Sequence, residues 1–279
     1  MSGLFASNLF RRVRTAVVAL PLVIAVITFF PQRGPWALAA IFCVLGIGEA
    51  HSLLGRASLH PSHLSFLPGI ALFFEMAGMP DAARAFPVSG LPIVAAVVAA
   101  LAAVVRADRF GIPVLGAEAA GALAGLVIGL GAGSFAALSS LSPLEDATAR
   151  VSLLLAIIIT SDVFAYFTGY AIGRHKLAPV VSPGKTVEGA IGGLVGGGLA
   201  AALVGAQFFK DQPLGLIVVI GVLVAVAGMV GDLLESLLKR YVGAKDSGAL
   251  FPGHGGALDR MDAFLFAAPL IYAFFRTLS

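Results

Sequence analysis

Nine apolar runs, separated by short polar or Pro/Gly-rich breaks, set the pattern of this chain: residues 15–31, 35–54, 64–79, 91–105, 116–138, 151–173, 187–209, 214–238 and 262–276. A helix that crosses a hydrocarbon core of about 30 Å needs roughly 20 such residues. The pattern therefore predicts an all-α, polytopic integral membrane protein of about nine transmembrane helices. The runs at 64–79 and 91–105 are short for a span. The first, preceded by "RRVR", ends in "TFFPQRGP" without the small-residue cleavage site of a signal peptide and is read as a span. No internal repeat, low-complexity tail or second domain breaks the pattern. Residues 1–279 read as one membrane domain, with N-terminal helices over 1–140, a packing or oligomer region, and the charged, catalytic part over 141–279.

Composition agrees. Hydrophobic residues make up 59% of the chain and charged residues 12%, against roughly a quarter charged in soluble domains. The net charge of +3 would suggest an acidic partner in a soluble protein. Here orientation explains it, and no nucleic-acid partner is expected. With the N-terminus cytoplasmic, 13 of the 18 Lys and Arg residues fall in cytoplasmic segments and five opposite, as the positive-inside rule requires. The expected setting is a bacterial inner membrane with the charged loops facing the cytoplasm. Cys43, the single cysteine, excludes an intramolecular disulfide. Glycine recurs every four residues at Gly121, Gly125, Gly129 and Gly133, and again at Gly189, Gly193 and Gly197, a spacing that lets helix backbones approach closely within a chain or across a dimer seam.

Ionisable groups inside spans are costly, so each is a candidate for function. Glu49, Glu75, Asp162, Asp232 and Glu235 qualify. On a helix, Asp232, Glu235, Ser236 and Lys239 share a stripe about 100° wide. Beyond it lie Lys245, Asp246, the turn "PGHGG" and "DRMD", which sets Asp259 and Asp262 at the start of the last helix. Taken alone, the stripe reads as a snorkelling helix end and the two acids as first-turn residues matched to the helix dipole. Asp232 and Asp259, however, can meet across the loop that joins their helices. Two carboxylates at low dielectric call for a cation between them, and hard oxygens without a cysteine cluster suit magnesium. Lys239, Arg240, Lys245 and Arg260 supply positive charge for an anionic ligand, and Gly253, Gly255 and Gly256 open the backbone to phosphate oxygens. A basic loop on anionic headgroups accounts for these cations. It leaves Asp232, Asp246, Asp259 and Asp262 unexplained. His254, a single imidazole, is read as a phosphate donor or a loop-orienting residue before a metal ligand.

A second polar segment, "RHKLAPVVSPGKTVEG", contains "GKT" but is not a P-loop, which would need glycine where Pro179 stands. Ser182 followed by Pro183 predicts a helix N-cap, with Lys185 and Thr186 in the first turn. A lysine there opposes the helix dipole unless it holds an anion, so a bound phosphate is one reading and a lipid headgroup the other. Upstream, Asp162, Tyr166, Gly169 and Gly173 share a helical face. Asp162 is read as a ligand of a second cation, a lysine partner or a hydrogen-bonded structural acid. Glu49 and Glu75 are read as interhelical pairing residues.

Residues 231–262, "GDLLESLLKRYVGAKDSGALFPGHGGALDRMD", resemble the signature of the phosphatidate cytidylyltransferases, the CDP-diacylglycerol synthases. The matching pattern is Ser, two residues, Lys-Arg, four residues, Lys-Asp, then Pro-Gly-His-Gly-Gly and Asp-Arg-x-Asp. "SPGKTVEG" and "SDVFAY" resemble the family's other polar segment. The likeness covers about the last 120 residues; the first 140 agree only in being apolar and multispan. Ala257, Val187 and Ala263 depart from it without removing a charge. The resemblance implies an all-helical membrane fold, a divalent-metal site at Asp232 and Asp259, and a homodimer. It leads to an expected reaction: a cytidylyl group passes from CTP to phosphatidic acid in the bilayer, giving CDP-diacylglycerol and pyrophosphate. Magnesium, with room for a second cation, would sit on Asp232 and Asp259, backed by Asp262 and Asp246. Lys185, Lys239, Arg240, Lys245 and Arg260 would hold the phosphates, His254 and its glycines would shape the loop, and Ser182, Thr186, Ser236 and Asp162 would complete the substrate site. The alternatives are a CTP-dependent lipid kinase, which needs a base for its hydroxyl nucleophile, and a cation-coupled transporter, whose ion sites belong near the midplane of related repeats.

Overall fold

The computed structural model describes residues 21–78, 91–248, 250 and 255–278. Nine α-helices follow one another among them: α1 (21–29), α2 (Arg33–Arg56), α3 (Leu67–Ala77), α4 (Leu91–Phe110), α5 (Val114–Leu138), α6 (Ala147–Ile172), α7 (Val187–Phe208), α8 (Leu214–Tyr241) and α9 (Leu258–Leu278). Each expected run contains a helix, so the all-α polytopic expectation holds. Among the described residues, six helices are long and apolar enough to cross a membrane: α2, α5, α6, α7, α8 and α9. The run at 64–79 differs from a full span. It folds as a 3-10 turn, His63–Phe66, continued by the 11-residue α3, about 16 Å of helix.

Two apolar cores share α9. One gathers Leu153, Leu154 and Ile157 of α6 with Ile217 and Val224 of α8 and Ile271 of α9. The other joins Leu53 of α2, Phe66 and Phe73 at α3, and Ile128 of α5 to Leu258 and Leu265 of α9. Outside them, large apolar side chains such as Val44, Leu203 and Phe29 are exposed, as a lipid-facing surface requires.

Both glycine stripes work within the chain. A Cβ at Gly69 of α3 would enter the backbone of Gly125, and one at Gly129 would enter that of Gly69, so α3 lies directly against the stripe of α5. Gly189 and Gly193 likewise receive Ala165 and Ser161 of α6.

The segment between α6 and α7 departs from the sequence reading. Lys176–Ala178 (β1) and Ser182–Thr186 (β2) pair as a short antiparallel hairpin, with Lys176 opposite Thr186 and Ala178 opposite Ser182. Ser182 is therefore a strand residue and not the cap of α7. Thr186 is the N-cap, with extended dihedrals (φ −123°, ψ 156°) and its hydroxyl oxygen accepting the Gly189 N–H at 3.1 Å. The fixed φ of Pro183 suits a strand start as well as a helix start. Lys185 thus precedes the helix, and the dipole argument for an anion beside it falls away. The Glu188 carboxylate holds the hairpin's entry by accepting the N–H groups of Arg174 at 3.0 Å and His175 at 3.2 Å.

The hydrogen bonds and ion pairs place the C-terminal ends of α2, α4, α6 and α8 at one end of the bundle. The starts of α5, α7 and α9 lie there too. At the opposite end the buried Arg150 donates to the carbonyls of Leu138 (3.0 Å) and Pro143 (2.9 Å), closing the end of α5.

Candidate active site

A cavity of about 550 Å³ opens between α6, α7, α8 and the hairpin. Asp162 and Tyr166 of α6, Ser182, Lys185 and Thr186 of the hairpin, and Asp232 of α8 line it. Deeper, Ile158, Met229 and Ala263 make its wall apolar. Gly169 and Gly173 of α6 leave the room into which Thr186 packs, which brings the hairpin over the cavity.

Asp232 forms the charged centre of this wall. Its Oδ2 meets the Lys185 ammonium at 2.5 Å, and Ser236 donates to Oδ1 at 3.4 Å. Asp162 and Asp262 both lie within electrostatic range of Asp232, and Lys185 and Arg260 balance Asp162. Asp262 also accepts the Ala263 N–H at 2.7 Å. Three acids from α6, α8 and α9 thus lie within electrostatic range of one another, with Lys185, Lys239 and Arg260 as the cations around them.

A second cluster adjoins the first. The Lys239 ammonium sits 2.6 Å from Glu235 and 2.6 Å from Asp259, with all three side chains largely buried. The other oxygen of Asp259 accepts the Ser247 N–H (2.8 Å) and the Gly256 N–H (2.7 Å). Gly255 has a φ of +81°, and a Cβ there would strike the Asp259 carboxylate, so glycine is required for this turn. Gly255 and Gly256 consequently serve Asp259. Arg240 donates to the Val181 carbonyl at 3.2 Å and ties the end of α8 to the hairpin. Lys245 and Asp246 are exposed and form no ion pair among the described residues. His254 and Gly253 lie outside the described residues.

Asp232 and Asp259, expected to share a cation, each hold a lysine of their own. Their oxygens are hard donors, the class that magnesium takes, and in this structure each carboxylate is already matched by its own ammonium. No three His, Cys, Asp or Glu side chains among the described residues could hold a metal unaided. An ion held there would have to complete its shell with water and substrate phosphate.

Two further residues join the site. Glu49, expected to pair between helices, does reach another helix, but its partners are the backbone N–H groups at the start of α9 and Ser247. Ser247 is buried, and nothing in its sequence context marks it. For Glu49 the signal was present, a carboxylate inside a span; its partners, about 200 residues away, were not.

A model of the cytidylyltransferase family matches residues 10–278. A phosphatidate cytidylyltransferase of Brucella abortus is 47% identical over 128 residues, covering 44% of this chain and 46% of that protein. One of Staphylococcus haemolyticus is 44% identical over 117 residues, covering 41% and 44%. The uncharacterized protein YnbB of Escherichia coli is 41% identical over 126 residues, covering 45% and 42%. In each case the match spans less than half of the relative's own length.

Proposed function

Since this chain belongs to the cytidylyltransferase family, we propose that it transfers the cytidylyl group of CTP to phosphatidic acid, releasing pyrophosphate and leaving CDP-diacylglycerol in the membrane. What supports this reading most is the position of the Lys185–Asp232 pair, in a cavity with charged and apolar walls at the end of an apolar bundle. A two-chain lipid substrate must keep its acyl chains in hydrocarbon, at about 0.8 kcal/mol per CH₂ withdrawn, while its phosphate meets a nucleotide from water. An apolar bundle with ions at one end meets both demands.

The lipid phosphate is already an anion near neutral pH, so it attacks the α-phosphorus of CTP without a strong base. A new P–O bond forms to the lipid oxygen, and the α–β bridge breaks with its electron pair passing to pyrophosphate. The protein then has to hold two anions in line and neutralise them. Lys185 and Lys239 release their acids to the incoming phosphates. Arg240, Lys245 and Arg260 add charge at the rim, and Ser182, Thr186, Ser236 and Asp162 shape the wall. Magnesium, held by Asp232 and Asp259 with Asp262 and Asp246 in support, would supply electrophilic stabilisation of the phosphates. The site would face the cytoplasm of a bacterial inner membrane, where most Lys and Arg residues lie. A homodimer would use surfaces other than the two glycine stripes.

CTP labelled at either the α- or the γ-phosphate tests the reaction. With purified protein, phosphatidic acid and magnesium, the α-label should enter the lipid and the γ-label should leave as pyrophosphate. A γ-label in the lipid, with CDP released, would make the protein a lipid kinase instead.

A further inference from the structure

Besides its apolar packing on α9, the N-terminal half of the chain reaches the hydrogen-bond network of Asp259 through the side chain of Glu49. Glu49, in the last two turns of α2, accepts the Ala257 N–H on Oε1 (2.8 Å) and the Leu258 N–H on Oε2 (2.9 Å), which are free donors at the start of α9. The Ser247 hydroxyl oxygen lies 2.8 Å from Glu49 Oε2 and 2.8 Å from Asp259 Oδ2. Having a single proton, the hydroxyl donates to one carboxylate at a time and so couples the two. Asp259 in turn holds Lys239, which Glu235 shares. The backbone is fitted to this contact: a Cβ at Gly248 would come within 2.8 Å of the Glu49 carboxyl carbon, and one at Gly256 would overlap its oxygens.

We propose that Glu49 is a positioning residue for the active site: through Ser247 and the first turn of α9 it fixes Asp259, and with it the ammonium of Lys239. A helix cap alone would need only the two backbone contacts. The Ser247 bridge adds a link to a carboxylate whose other oxygen grips the phosphate-binding lysine. The catalytic consequence rests on the cytidylyltransfer reading; the anchoring itself does not.

The test compares full-length wild type, Glu49→Gln, Ser247→Ala and the double variant in detergent, by steady-state kinetics with CTP, phosphatidic acid and magnesium. Melting temperature and hydrogen exchange of the Gly256, Ala257 and Leu258 amides are followed in parallel. Glu49→Gln keeps the side chain's size but places an amide against groups that donate. We expect its kcat to fall by about 10–100-fold with little change in KM for CTP, and exchange at the three amides to quicken. Ser247→Ala should lose about 10-fold, and the double variant should be no worse than Glu49→Gln. A kcat within twofold of wild type for Glu49→Gln, or losses that multiply in the double variant, would overturn the proposal. So would a lowered melting temperature with normal kcat per folded molecule, which would make Glu49 scaffold only. Should Glu49→Gln fail to fold, Ser247→Ala decides, and a full rate counts against the link. If wild type makes no CDP-diacylglycerol, the function is misread. The exchange arm then stands alone, and unchanged amide protection in Glu49→Gln rejects the anchoring.

Discussion

Lys239 is the residue on which the largest local balance depends. Its side chain is 13% exposed, and those of its two acids are 8% and 6% exposed. One ammonium therefore bridges two carboxylates away from water, and Glu235 Oε1 has no hydrogen-bond partner among the described residues. Removing the cation from such a pair leaves charge buried and unmatched, at a cost of about 3–5 kcal/mol. Lys239→Met should accordingly lower the melting temperature in detergent far more than Glu235→Gln, which removes a charge already in excess. Equal melting temperatures for the two variants would contradict the balance. At this scale the sequence exposed the charged residues and hid their partners. Asp232, Lys239 and Asp259 stand out because ions are rare in an apolar chain. That Asp232 would be met by Lys185 and Asp259 by Ser247 depends on tertiary approach, which spacing along one helix does not encode.

Helix placement was legible where the chain is long and apolar, and the boundary errors have identifiable causes. Ser182-Pro183 and Thr186 both satisfy the chemistry of a helix start. The choice fell to Thr186 because pairing with β1 uses the backbone of the preceding residues. Thr186→Ala should therefore cost about 1 kcal/mol, while Ser182→Ala should leave melting unchanged; the reverse ranking would restore the earlier start. The glycine stripes were legible as close-packing faces, but their partners were not. Since α3 lies on α5 at Gly69 and Gly125, Gly125→Val should overpack this seam by about 1–3 kcal/mol or more and reduce the monodisperse yield in detergent. A variant that purifies and melts like wild type would show that the seam has slack.

Across the whole molecule, α9 binds the halves together, sharing one core with α6 and α8 and the other with α2, α3 and α5. The sequence divided the chain into about 120 recognisable residues at its C-terminal end and an anonymous remainder, since only the former carries motif chemistry. The fold shows the remainder packed against the helix that bears Asp259 and Asp262. The orientation proposed for this bundle can be checked in a Cys43→Ala background, because the native thiol is buried. Val180→Cys, at the exposed tip of the hairpin, should react with an impermeant thiol reagent only from the cytoplasmic side, and Gln212→Cys, between α7 and α8, only from the other. The opposite labelling would invert the topology.

The most direct measurement is the rate at which purified protein converts CTP and phosphatidic acid to CDP-diacylglycerol across a magnesium titration, wild type beside Asp232→Asn. Wild type should be inactive in excess chelator and regain activity with magnesium, and Asp232→Asn should lose about 10²–10³-fold, the range for removing one preorganised electrostatic group. An Asp232→Asn protein that keeps the full rate, or a wild type indifferent to magnesium, would contradict the assignment of the α6–α9 cavity as the catalytic centre.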